Sequence, residues 1–268
     1  AKEKFDLAIK EAEQSERFLP SVAAKFFKEK NYEYALEAYT LAKKESNKAS
    51  YSIQIANIYS YLGDIDSMYQ ELINLLRTNP NYFQTCKNKF RITIGDDDQN
   101  ENNKRLKKIL LKNIQKNDSA EISKMLIWLF MQEKKFGDAL HYEISLDKRL
   151  FNNTEDIVKL GEIALSNNNY TTAIDAFSYI LKKGEKYSYY YEYSSIKILD
   201  VKFSILKDRK IKKNDEIKRL ETEYNKTIKE LGIKSETIFT LTNYCDILAT
   251  YLNKEQEAID LLQNTINN

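Results

Sequence analysis

The chain has 268 residues, of which 42 are Lys or Arg and 40 are Asp or Glu, so the formal net charge is only +2. That balance supplies no global field to recruit nucleic acid or an anionic membrane, and two prolines and six glycines describe helices joined by short turns. The longest apolar stretch, Met125 to Met131, falls far short of the roughly 20 residues that span a bilayer.

In chain order, Phe5 and Ala8 read as the second helix of a unit whose first helix is missing, over residues 1–15. The next unit, 16–47, places Val22, Ala23 and Phe26 on one helix face, Tyr32 at a turn, and Ala35, Tyr39 and Ala42 on a second helix. In the unit 49–80 the same arrangement returns as Ile55, Ala56 and Tyr59, the turn Gly63-Asp64, then Ile65, Met68, Leu72 and Leu75, closed by Pro80.

Residues 81–117 read as a degenerate pair: a helix from Phe83 to Phe90, a polar loop from Gly95 to Asn100, and a helix from about Asn103 to Gln115. The loop run from Asp96 places Asp96, Asp98 and Asn100 at EF-hand positions 1, 3 and 5. It then fails, with Glu101 where glycine belongs and Lys107 where a bidentate glutamate belongs. A solvated loop that caps the following helix is the expectation. Lys104 to Lys116 alternates with Leu106, Ile109, Leu110 and Ile114, an amphipathic helix whose lysines face water.

The pattern resumes over 120–151 with Leu126, Ile127, Phe130, Phe136, Ala139 and Leu146, and over 154–185 with Leu160, Gly161, Ala164, Tyr170, Ala173, Phe177 and Ile180. A long irregular pair is expected over 187–232, its helices joined by a basic turn from Lys207 to Asn214. The last unit, 235–268, carries Tyr244, Leu248 and Tyr251, then Ala258, Leu262 and Thr265.

Ala35 to Met68 is 33 residues, Ala139 to Ala173 is 34, and Met68 to Ala139 is 71, about two units. With small residues at fixed offsets after an aromatic or apolar turn residue, these spacings resemble the tetratricopeptide repeat. A helix pair of this kind cannot bury both its faces alone, so stacking is required. The expected fold is therefore all-α, an α-solenoid of about six tetratricopeptide-like pairs, 1–268 forming one array cut from a longer one. The resemblance further implies a right-handed superhelix.

Chemistry leaves little local trace. The lone His141 cannot form a metal pair, Cys86 and Cys245 lack any ligand spacing, and each glycine serves a turn, a loop, a helix contact or a helix end, leaving none to cradle phosphate. No catalytic residue, cofactor or metal site is expected.

The tyrosines stand out: there are 19, with Tyr187, Tyr189, Tyr190, Tyr191 and Tyr193 nearly consecutive. Successive helix positions lie about 100° apart, so this run coats more than one face. Its rings either wedge between long helices or reach a partner.

In the resembled family, first-helix positions that face away from the second helix line a groove where partners lie. Carried over, they fall on Ala24 and Phe27, Asn57 and Tyr61, Trp128 and Met131, and Glu162. Ala24 stands where the carboxylate-clamp subfamily would need an amide, which argues against that mode. Trp128 beside Met131 has the chemistry of a peptide-binding surface, unless the irregular 81–116 pair closes over it. Together with Tyr189, Tyr190 and Tyr191 these residues are the candidates for binding a protein or peptide partner. The competing reading is RNA or other nucleic-acid binding through the basic clusters 104–116 and 207–213, which lack interleaved stacking aromatics. The texture, rich in Lys, Asn, Ile and Tyr, is similar to large tetratricopeptide proteins of Bacteroidota-type bacteria, which implies a periplasmic or envelope setting, with some such proteins serving secretion.

Overall fold

A computed structural model of the chain describes residues 2–13, 18–46, 48–116, 119–150, 154–184 and 188–266. They hold α-helices, short 3-10 turns and one π-helical turn, with no strand among the described residues. None of these helices is long and apolar enough to cross a membrane. The chain divides into two compact units, Ala1–Lys135 and Phe136–Asn268, the boundary in sequence falling at the turn inside the expected 120–151 pair.

The first unit contains α1 (Lys2–Glu13), α2 (Leu19–Lys28), α3 (Tyr32–Ser46), α4 (Ala49–Leu62), α5 (Ile65–Thr78), α6 (Phe83–Arg91), α7 (Glu101–Lys116) and α8 (Ala120–Gln132). The second contains α9 (Phe136–Leu150), α10 (Thr154–Ser166), α11 (Tyr170–Lys183), α12 (Tyr189–Asp208), α13 (Asn214–Leu231), α14 (Ile238–Asp246) and α15 (Glu255–Ile266). Tyr187, the first tyrosine of the cluster, lies outside the described residues.

Local chemistry starts and stops these helices. Asp64 and Asn169 cap α5 and α11 by accepting from the backbone N–H of Ser67 and Thr172, and Ser188 caps α12 by accepting from that of Tyr191. Pro80 ends the α5 segment by opening a 3-10 turn, Pro80–Tyr82.

The repeat is written most plainly in the backbone of its turns. Lys30, Gly63, Lys134, Asn168 and Asn253 all adopt positive φ, between 54° and 76°, and each precedes by five residues the small or apolar position Ala35, Met68, Ala139, Ala173 or Ala258. In the first four turns the following residue donates its N–H back to a carbonyl five residues earlier, as Asn31 does to Phe26 and Asn169 to Ala164, each closing a Schellman-type end. The fifth has one residue more: Lys254 donates to Leu248, six back, because Ile247–Tyr251 widens into a π-helical turn at the end of α14.

Small side chains allow the close crossings. Ala23, Ala35, Ala139, Ala173 and Ala176 are fully buried. At Gly161 an added Cβ would meet the Phe177 ring at 3.0 Å, so α10 and α11 approach closely enough to exclude alanine without adjustment. Buried rings fill the spaces between, with Tyr69, Phe90, Phe177 and Tyr224 fully enclosed, each contributing about 1.5–3 kcal/mol.

Residues 81–117 do not fold as a hairpin of two mutually packed helices. α6 packs on α5 and α8, and α7 packs on the same two helices. The loop between them is tied down by Asn103, fully buried, which accepts from the Gly95 N–H and donates to the Gly95 and Asp97 carbonyls. α7 begins two residues earlier than expected, at Glu101, because Asn100 accepts from the backbone N–H groups of Asn102 and Asn103.

Candidate functional site

The groove-position residues of the first unit meet different fates. Phe27 and Tyr61 lie edge to face at 5.3 Å. Tyr32, which sequence reasoning assigned only to the turn, stacks on Tyr61 at 5.2 Å and lies 5.6 Å from Phe27. Tyr61 is 64% exposed, yet all three rings already have aromatic neighbours. Asn57 is half-buried and accepts from Lys89 Nζ at 2.6 Å, while Ala24 is exposed.

Trp128 is not an open surface. Only 9% exposed, it sits beneath α6, with Lys87 Nζ 5.6 Å from its ring centre, so the irregular 81–117 segment covers it. Met131 is half-buried on the same helix. Beside it, the side chain of Glu133 is fully buried and receives Lys107 Nζ at 2.7 Å, an ion pair that anchors α7 to α8.

Parts of the basic clusters are similarly engaged. Lys104 pairs with Glu101, and Arg105 lies 3.7 Å from Asp66. In 207–213, Arg209 pairs with Glu216, and Lys207 and Lys212 lie over the rings of Phe203 and Tyr251. Asp98, from the run that mimics an EF-hand, pairs with Lys135 at 2.7 Å, and the hydrogen bond from that lysine holds its carboxyl below the usual carboxylate range. Among the described residues no three His, Cys, Asp or Glu side chains gather as a metal site. His141 is exposed on α9.

The second unit carries the open site. α12 is a 20-residue helix with α11, α13 and α14 packed against it, and α10 reaching its first half. Its tyrosines spread over several faces, as their spacing requires. Tyr190 turns to Glu155 on α10; desolvation first, and the nearby carboxylate second, raise its pKa above the usual value. Tyr193 donates to Glu162, so Glu162 is already occupied; burial and then this carboxylate push the Tyr193 hydroxyl well up. Tyr191 is half-buried. Tyr189 stacks on Tyr193 at 5.7 Å and touches Tyr190 edge-on at 5.6 Å, yet remains 66% exposed.

Tyr189, Tyr193 and Ile196 form one wall of a cleft of about 300 Å³, and Glu236, from the 3-10 turn Ser235–Thr237, with Phe239 and Thr240, from the start of α14, form the other. Phe239 is 80% exposed. Two ion pairs frame the cleft: Lys234 with Glu192 across it, and Lys197 with Asp200 along α12. Lys197 Nζ also lies 5.4 Å from the centre of the Tyr193 ring. Phe239 and Thr240 escaped sequence reasoning, which examined groove positions in the four regular units only. The exposed pair Ile238-Phe239 after the polar stretch Lys234 to Thr237 was the available signal.

No family model and no curated protein matches the chain. Among solved structures, 93% of it is similar to a chain in the structure of Naa15/Naa10 bound to HypK-THB, at 14% identity and a TM-score of 0.50. The chain spans 37% of that protein's length. It is also similar to a tetratricopeptide repeat protein from Parabacteroides merdae, at 12% identity over 95% of this chain and 80% of that one, with a TM-score of 0.33. A third similarity is to the TPR2AB domain of yeast Sti1 in complex with pHSP90, at 13% identity over 94% of this chain and 98% of that one, with a TM-score of 0.28. With recurring helix pairs, left-handed turn residues at constant register and small or apolar residues five positions after each, the chain has an all-α, tetratricopeptide-like helical-repeat fold.

Proposed function

We propose that this chain is a non-enzymatic protein-binding scaffold that holds a partner on its first-helix faces, chiefly at the α12–α14 cleft. The observation that carries this reading is the cleft itself, where Tyr189 and Phe239 expose large aromatic surface on two helices. Aromatic residues so placed are enriched among those that dominate binding energy, and stacked helix pairs present extended surfaces without any need for chemical turnover.

Other features agree. Burial raises the Cys86 thiol to about 12 and also raises that of Cys245, which disfavours the thiolate a nucleophile would need. Six of the eleven lysines and arginines of the two basic clusters already pair with a carboxylate or lie over a ring, which favours a protein partner over nucleic acid. A place in a bacterial envelope or secretion assembly is a finer part of the proposal, resting on the sequence texture and tested by fractionating native cells.

The experiment is affinity capture of the full-length protein from its native cells, run in parallel with a Tyr189→Ala/Phe239→Ala double variant. The reading expects the wild type to retain a partner over an interface of roughly 1,200–2,000 Å², and the variant to lose it while staying folded. Identical retention by both would remove the cleft as the binding surface.

A further inference from the structure

A row of unmatched cations on α7 marks a second surface, this one in the first unit. At about 100° per residue, Arg105, Lys108, Lys112 and Lys116 fall within an arc of about 80°, spread along roughly 17 Å of helix. All four are exposed, and Lys108, Lys112 and Lys116 form no ion pair among the described residues.

The lysines at 104, 108, 112 and 116 also stand four residues apart, a spacing at which like charges repel and weaken a helix. Elsewhere in the unit, cations meet anions: Lys25 pairs with Glu29 at that same spacing, and Lys43 and Lys107 reach Glu71 and Glu133 on neighbouring helices. The one acidic residue of α7, Glu101 at its start, is taken by Lys104. The rest of the row carries a repulsion that nothing among the described residues offsets.

That row forms one wall of a groove of about 360 Å³ between α5 and α7. Asn113, which is buried, holds the two walls together by donating to the Gln70 side chain at 3.4 Å. Facing the cations, the α5 wall offers the uncharged Ser67 and Gln70, with a carboxylate only at the Arg105 end, where Asp66 lies 3.7 Å away. Ile109, half-buried, supplies an apolar strip beside the charges. No aromatic ring is among the described residues that line the groove, so it lacks the platform on which single-stranded nucleic acid stacks its bases.

We propose that the α5–α7 groove docks an acidic segment of a protein partner, its carboxylates pairing with Arg105, Lys108 and Lys112 and an aliphatic side chain resting on Ile109. Cations four residues apart on a helix are separated by about 6 Å along its axis, and alternate residues of an extended chain by about 6.5–7 Å. Carboxylates at every second position of such a segment therefore meet successive lysines. A basic segment would be repelled, and a neutral one would leave the row as unmatched as before.

The test uses the full chain and fluorescence anisotropy of labelled probes: a short peptide alternating Asp and Ala, its counterpart alternating Asn and Ala, and an oligothymidylate of the same charge as the Asp peptide. The expected result is saturable binding of the Asp peptide, at least about tenfold tighter than either other probe, and at least about threefold weaker when salt rises from about 50 to about 200 mM. Lys108→Glu/Lys112→Glu should weaken the Asp peptide at least about tenfold. Lys210→Glu/Lys213→Glu, the same change of charge in the other basic cluster, should leave it within about twofold.

Lys108→Gln/Lys112→Gln separates docking from a role in the fold. Removing like charges at helical spacing should hold or raise the melting temperature while weakening the Asp peptide. A lowered melting temperature in that variant, equal losses from the two charge-reversed variants, oligothymidylate binding as tightly as the Asp peptide, or no saturable binding of that peptide would each overturn the proposal. The α12–α14 cleft belongs to the other unit, so the scaffold reading would stand in any of these cases.

Discussion

Trp128 and Tyr189 are both large aromatics on the first helix of a pair, and the two units treat them in opposite ways. Around Trp128, α6 leaves the repeat pattern and lays Lys87 over the indole, leaving 9% exposed. Around Tyr189, α12 and α14 both keep first-helix positions, and the space between them stays open with Tyr189 66% and Phe239 80% exposed. Where an element between two pairs departs from the pattern, it fills the surface that regular pairs leave free. The aromatic residue alone therefore does not mark a site; what its neighbours do decides.

The sharpest way to break this comparison is to truncate the covered ring. Trp128→Ala removes a buried indole and should cost about 3–5 kcal/mol in chemical denaturation, whereas a Trp128 that behaved as a surface residue would lose far less. Asn103→Ala should follow at about 2 kcal/mol, since it leaves buried groups around Gly95 and Asp97 without partners. Because Trp128 is the sole tryptophan, its fluorescence should shift to the red in that variant if the loop helps hold α6 in place. An unchanged spectrum with lowered stability would mean that the cover over Trp128 does not depend on the loop.

The smaller effects sharpen the other side. Thr240→Val should stabilise the chain by up to about 1 kcal/mol, because a methyl replaces a buried hydroxyl that has no hydrogen-bond partner among the described residues. Destabilisation would show that the hydroxyl has a partner after all. Phe239→Ala should leave stability within about 0.5 kcal/mol of the wild type, since its ring is mostly in water, and a large loss would make it a core residue.

Much of the fold was legible because it depends on local sterics. Ala35, Ala139, Ala173 and the Gly161 step mark crossings where a larger side chain would collide, and Gly63 and the Asp64 cap mark a turn. The turns at Lys30, Lys134 and Asn168 adopt the same left-handed conformation without a glycine to announce it. The extra residue that widens α14 into a π-helical turn leaves no pattern of its own.

The site was legible only in part. Phe27 and Tyr61 are in contact, and the turn residue Tyr32, which carries no groove signal in the sequence, joins them. Of the tyrosine run, spacing showed that the rings must point several ways. Which ring reaches solvent was settled by distant carboxylates, Glu155 taking Tyr190 and Glu162 taking Tyr193. The covering of Trp128 likewise depends on a lysine some 40 residues away in sequence, a relation that no helical periodicity encodes.

The most direct measurement is hydrogen exchange of the full chain with and without the partner it retains. The account predicts new protection concentrated in residues 189–200 and 235–243, with α8 unchanged. Protection confined to α2 and α4, or to α8, with the α12–α14 cleft exchanging as freely as before, would contradict it.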